Sequence, residues 1–398
     1  MLTLLLILSL TASCVSASAL YTLRRLDAAT YPLATCLDGT QGSYYFRPSS
    51  TGSNKTKIFY QGGGWTVSLP DSYARSLTNL GTSNGLSPTS PEPSGYCGSS
   101  FLSDDATVNP TTFDWHAVYV NYCDGSAYTG SRLQPVNYSH DTSQNSLVYY
   151  RGAYIRDGLI ADWLAQGIVG PSTTDVAIGG CSAGGHTVWL HLDAHAEKMR
   201  AGGVPASARI TGLSDAGFFI DHVTEGGSQY RSQLFEWGFG AWNATPALSA
   251  SCIAELGWKC IMPQYTARFI TTPLFMVNSR YDSCQLGGCE LMLPAPIGPW
   301  AAMSSSSQVA SRQYSKDFDT ALAASGFPQM QQHGGFLLSC IVHCNAGDSA
   351  WWTTAAAGGA GGSNLTMNLA YDAWLNRQPG AAWWSDSCDL PTCNPTCA

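Results

Sequence analysis

The segment Gly180-Cys181-Ser182-Ala183-Gly184 constrains this chain more than any other. It follows the run Asp175-Val176-Ala177-Ile178 and opens a helical pattern. Strand, G-x-S-x-G, helix is the order of a nucleophile elbow. The tight turn lifts one serine hydroxyl clear of the backbone, and its glycines let neighbouring chain pass at close range. Five residues of this kind say little in a chain with 41 glycines. The strand and helix patterns on either side give them weight.

Those patterns continue along the chain. Short apolar runs at 57–60, 116–122, 208–213, 273–278 and 335–342 read as strands. Helical spacing covers 144–168, with Leu147, Tyr150, Tyr154, Ile155, Ile160 and Leu164 as anchors, and recurs at 309–325 and 364–376. Strands alternating with helices predict an α/β fold, a mostly parallel central sheet with helices on both faces. Residues 20–398 read as one domain. The Pro/Ser/Gly-rich stretch 87–99 and the Ala/Gly run 355–362 read as loops. The Cys-bearing tail, about 377–398, is expected to be tied to the body by disulfides.

The N-terminus reads as a secretory leader, residues 1–19. An apolar stretch from Leu2 to Ala12 precedes Ala17-Ser18-Ala19, an A-x-A-like cleavage site, although no Lys or Arg occurs before Arg24. The stretch is too short to span a bilayer, and no later one reaches the ~18 apolar residues of a span. The expected product is therefore secreted, without stable membrane insertion. A formal charge of −8 lacks the basic footprint that nucleic acid requires. Fourteen cysteines in a secreted chain imply disulfides. Removal of Cys14 with the leader leaves an odd number, hence a free thiol or an intermolecular bond. Cys181, beside the elbow serine at a strand end, is the candidate free thiol. Sequons at Asn54, Asn137, Asn243 and Asn364 are candidate glycan sites.

A serine alkoxide forms only when a base takes its proton, and that base is usually a histidine oriented by a carboxylate. On hydrolase sheets the order is Ser, then Asp or Glu, then His. Of the histidines well beyond Ser182, His222 falls in a loop and His333 precedes its strand. His343 follows the Phe336-Leu337-Leu338 strand between Cys340 and Cys344, where disulfides would pin its loop. Two strand-end carboxylates compete for the acid, Asp215 and Asp282, and the later strand favours Asp282. Gly62-Gly63-Gly64-Trp65 matches a glycine-rich oxyanion loop, and the Ala183 N–H supplies a further donor. His186, His191 and His195 share one helix, but Leu192 stands where a zincin needs glutamate, even with Asp193 and Glu197 nearby. No metal is expected. Some of the 13 tryptophans could stack on sugar rings, while the pairs Trp351-Trp352 and Trp383-Trp384 must place at least some rings in packing.

Seven stretches taken together resemble the pectin acetylesterase family, which also contains the Notum-type protein carboxylesterases. They are Cys36-Leu37-Asp38-Gly39, Gly62-Gly63-Gly64-Trp65, Tyr122-Cys123-Asp124-Gly125, Gly180-Cys181-Ser182-Ala183-Gly184-Gly185, Ser214-Asp215-Ala216-Gly217-Phe218-Phe219, Asn278-Ser279-Arg280-Tyr281-Asp282 and Cys340-Ile341-Val342-His343-Cys344. The resemblance implies an α/β-hydrolase fold and a secreted esterase that uses no metal or other cofactor. It implies Ser182 as nucleophile, Asp282 as acid, His343 as base, and oxyanion donors at Gly64, Trp65 and Ala183. It leaves Asp215 as a shared feature near the site. Asp124 and Arg280 are candidate substrate contacts, and Arg280 would suit a uronate carboxylate or simply a surface role. The implied substrate is an acetylated cell-wall polysaccharide, pectin first. The alternatives are a Notum-like deacylase of a lipid-modified protein and a binding protein on a dead hydrolase scaffold. The chain departs from the resemblance at Thr66, where plant members usually carry Cys, and in its tail after about residue 350.

Overall fold

The computed structural model describes residues 20–90, 100–139, 145–224, 227–288, 297–347, 351–358, 364–386 and 390–397. The expected leader, most of the 87–99 loop and part of the Ala/Gly run lie outside the described residues.

The strands run in chain order as follows. The first group is β1 (Tyr21–Arg25), β2 (Ser43–Arg47), β3 (Lys55–Tyr60), β4 (Thr89–Ser90) and β5 (His116–Val120). Next come β6 (Val136–Ser139), β7 (Asn145–Val148), β8 (Asp175–Cys181), β9 (Arg209–Asp215) and β10 (Leu274–Ser279). The last are β11 (Gly334–Leu338), β12 (Ala356–Gly358), β13 (Asn364–Thr366) and β14 (Trp383–Ser385). Ten of them form one sheet in the order β14-β11-β10-β9-β8-β3-β5-β2-β1-β4. Every pairing from β14 to β5 is parallel. β2, β1 and β4 add an antiparallel edge. The carboxyl ends of the parallel strands share one rim, where ligands bind in open α/β sheets.

Alternation along the strands sorts side chains into two apolar layers. Ile58, Val118, Ile178 and Met276 join one, with Trp163, Val188, Trp189 and Phe318 from helices Gly152–Ala165, Ala183–Ala201 and Ser305–Ala324. Phe59, Tyr119, Ala177 and Phe275 join the other, with Phe101, Trp352, Tyr371 and Trp374. Both faces of the sheet are therefore covered, as parallel sheets require. The tryptophan pairs split as expected, Trp352 and Trp384 buried, Trp351 and Trp383 half-buried.

Three readings need correction. The pattern at 144–168 is not one helix: β7 pairs antiparallel with β6, and the helix begins at Gly152. The pattern at 364–376 likewise divides into β13 and a helix, Met367–Leu375. Part of the 355–362 loop is a strand, since β12 pairs with β13. The tail joins the body through Cys340–Cys397 and through Asn394, whose amide donates to the Ala356 carbonyl at 2.8 Å.

Candidate active site

β8 ends at Cys181, and the helix Ala183–Ala201 starts one residue after Ser182. Ser182 has φ 57° and ψ −124°, a left-handed backbone that costs a non-glycine residue of order 1–3 kcal/mol. The surroundings hold it there. Its N–H donates to the Asp215 carbonyl at 3.0 Å, and its carbonyl accepts from His186 N–H at 2.8 Å. A Cβ on Gly184 would lie 2.0 Å from the Tyr60 carbonyl oxygen, so the elbow packs against β3 only with glycine at that position. Ser182 is 7% exposed, at the amino end of a 19-residue helix, where the helix dipole favours negative charge.

Asp282 follows β10 and is fully buried. Its carboxylate accepts from His343 Nδ1, at 2.8 Å and 3.0 Å from its two oxygens, and from the Gln285 N–H at 3.0 Å. With Nδ1–H directed at the carboxylate, Nε2 is the nitrogen that can accept a proton.

The loop after β11 that carries His343 is fastened from several sides. Cys344 is bonded to Cys181, so Cys181 is not the free thiol that its position suggested. A His343 ring nitrogen lies within 4.8 Å of the sulfurs of both cysteines. Cys344 itself has φ 66°. The Asp215 carboxylate accepts from the N–H groups of Asn345 and Ala346 and, at 3.3 Å, from the Asn345 amide. The Ala346 carbonyl accepts from Phe101 N–H at 2.8 Å. Of the two competing carboxylates, Asp282 thus meets the histidine and Asp215 meets the loop behind it.

After β3, a Cβ on Gly62 would stand 2.9 Å from the Ser182 Cβ, so this loop runs directly against the elbow. The Gly63 carbonyl accepts from Arg75 at 2.7 Å, and the Gly64 carbonyl from the Tyr122 hydroxyl at 2.9 Å. In a trans peptide the N–H points opposite the carbonyl. The N–H groups of Gly64 and Trp65 are therefore turned away from Arg75 and Tyr122. The Trp65 indole N–H donates to His186 Nδ1 at 3.1 Å, and His186 Nε2 donates to the Ile261 carbonyl. Burial drives His186 down to about 3, so it is neutral in the fold. Phe219 and Phe235 pack edge-on against Trp65, and the buried Arg231 guanidinium sits 4.5 Å from its ring centre. Burial lowers Arg231 to about 9. Thr66, where the resemblance has Cys, accepts from Trp242 at 3.0 Å and donates to the Gly125 carbonyl at 3.2 Å.

The sequence offers His186 as a metal ligand, while its position in the first turn after Ser182 is the signal for its support of Trp65. The other helix histidines are also engaged. His191 accepts from Arg156 at 2.8 Å and donates to the Ala127 carbonyl at 2.9 Å. His195 accepts from the Tyr60 hydroxyl at 2.6 Å and donates to the His191 carbonyl at 2.7 Å. Among the described residues two groups bring potential ligand atoms within 4.8 Å of one another, and each includes disulfide-bonded cysteine.

The two candidate substrate contacts, Asp124 and Arg280, are both engaged by other protein groups. Asp124 is fully buried, and its carboxylate accepts from the N–H groups of Ser126 and Tyr128 and from the Ser126 hydroxyl. It organises a turn in which Ala127 and Tyr128 have positive φ. Burial pushes its carboxyl up, against those donors. Arg280 binds both Asp319 oxygens through Nε, at 2.8 Å and 3.0 Å, and reaches Ser385 at 2.8 Å. It joins the helix Ser305–Ala324 to β14.

Comparisons with known proteins place the chain among sequence relatives. Pectin acetylesterase 11 of Arabidopsis thaliana is 27% identical over 384 residues, which is 94% of this chain and 91% of that protein. Pectin acetylesterase 5 of the same plant is 27% identical, covering 96% of this chain and 86% of its own length. The human palmitoleoyl-protein carboxylesterase NOTUM is 25% identical, over 63% of this chain and 49% of that protein. The profile of the family described as Pectinacetylesterase matches residues 14–398, and the chain belongs to that family.

Proposed function

We propose that this chain is a secreted serine carboxylesterase that removes O-acetyl groups from a cell-wall polysaccharide, with pectin the first substrate to test. His343, oriented by Asp282, takes the Ser182 proton. Ser182 Oγ attacks the acetyl carbonyl, and the N–H groups of Gly64, Trp65 and Ala183 receive the developing oxyanion. His343 returns the proton to the departing sugar hydroxyl, leaving an acetyl-serine. Water, activated by the same imidazole, then releases acetate.

The observation that supports this reading is the Asp282–His343 hydrogen bond on a loop whose Cys344 is bonded to Cys181, the residue before the strained elbow serine. Membership of the Pectinacetylesterase family supports the ester-hydrolase chemistry, and the plant relatives support the acetyl polysaccharide. The disulfides fit an extracellular setting, and no helix among the described residues is long and apolar enough to cross a membrane. Acetate release from acetylated pectin, xylan and mannan tests the substrate, with pectin expected to be turned over fastest. Preference for an aryl octanoate over an aryl acetate would instead favour long-chain deacylation.

A further inference from the structure

Asp215 touches both halves of the site. Its backbone carbonyl accepts the N–H of Ser182 at 3.0 Å. Its carboxylate, wholly buried, accepts the N–H groups two and three residues beyond His343 and the Asn345 amide. The loop it receives includes Cys344 in a left-handed conformation, which persists only where the surroundings over-determine it. A carboxylate that caps two backbone N–H groups forms charge-assisted bonds, roughly twice as strong as neutral ones.

We propose that Asp215 is a positioning residue for the esterase reaction: through one residue at the end of β9, the nucleophile's own amide and the loop bearing the base are held in register. Asp215 touches neither substrate nor the reacting atoms. Its influence passes through the placement of the His343 imidazole relative to Ser182, and displacement of about 1 Å in such a pair can cost 10²-fold in rate. The inference rests on the Ser182–His343–Asp282 reading above.

The test compares Asp215→Ala, Asp215→Asn and Ser182→Ala on an aryl acetate, with kcat expressed per active site after end-point fluorophosphonate titration. Counting only sites that can react removes the effect of misfolded protein. Asp215→Ala is expected to lower kcat about 10²-fold with KM within about twofold. Asp215→Asn, which keeps one accepting oxygen, should restore about a tenth of the wild-type value. Fluorophosphonate labelling rates should fall in the same order. If Asp215→Ala does not fold, Asp215→Asn decides alone. Wild-type kcat per site in Asp215→Asn, with Ser182→Ala inactive, would overturn the positioning role. Activity retained in Ser182→Ala would instead overturn the nucleophile assignment beneath it.

Discussion

Cys181 and Cys344 share a disulfide, so the residue before the elbow serine and the residue after His343 are one covalent unit across 163 positions of sequence. Closing so long a loop restricts the unfolded chain, and removing such a bond typically costs about 2–4 kcal/mol. The double variant Cys181→Ser/Cys344→Ser should lose about that much in urea unfolding. Its kcat on an aryl acetate should fall about tenfold or more with KM nearly constant, because the base loop loosens while the substrate surface is untouched. Wild-type kcat in the folded variant would show that the bond serves stability alone.

Asp282 fixes which nitrogen of His343 carries the proton. Asp282→Asn keeps the shape and presents a donor where the imidazole needs an acceptor. The expected loss is about 10³–10⁴-fold in kcat, as for triad acids generally, with little change in KM. Steady-state kinetics across pH check this, and a loss smaller than tenfold would remove Asp282 from the reaction.

Much of this site was legible in the sequence because its parts follow apolar strand runs. The run at 175–178 and the small residues around Ser182 define strand and elbow together, and Phe336-Leu337-Leu338 announces the strand that delivers His343. What was misread depends on partners distant in sequence. Nothing near Cys181 reveals that its sulfur meets Cys344. Leu147 and Tyr150 suit helical spacing, yet 145–148 has a hairpin partner in β6. Asp124 and Arg280 carry charges in family stretches, but their burial and partners come from the turn at 124–128 and from the helix and strand that Arg280 joins. β1 gives no apolar run because Tyr21-Thr22-Leu23-Arg24-Arg25 mixes polar and apolar residues, in a strand with only Tyr21 buried.

Buried neutral histidines make the fold acid-sensitive. Unfolded, each imidazole gains a proton below its ordinary 6.5; folded, burial keeps His186 neutral to about 3 and His195 to about 4. The unfolded state then holds more protons between these limits. Stability is full above pH 6.5 and falls as pH drops, by about 1.4 kcal/mol per pH unit for each such group. Urea unfolding between pH 7 and pH 4.5 checks the slope. His195→Gln, which can accept from Tyr60 and donate to the His191 carbonyl, should flatten it by one group's share.

Arg280 holds Asp319 and Ser385, contacts that can account for its place in the fold. Arg280→Ala should lower the unfolding free energy by about 1–2 kcal/mol. Its KM for acetylated pectin should stay within twofold of wild type. A rise of tenfold or more in KM on the uronate polymer, with KM on a neutral aryl acetate unchanged, would return Arg280 to the substrate site.

The most direct measurement of the central claim is acetate release by Ser182→Ala, read beside its thermal unfolding and its labelling by a fluorophosphonate. Removing the nucleophile should abolish both turnover and labelling while the melting temperature stays near or above that of the wild type, since alanine leaves the helix and its packing intact. Substantial acetate release from acetylated pectin by the folded variant would contradict the account.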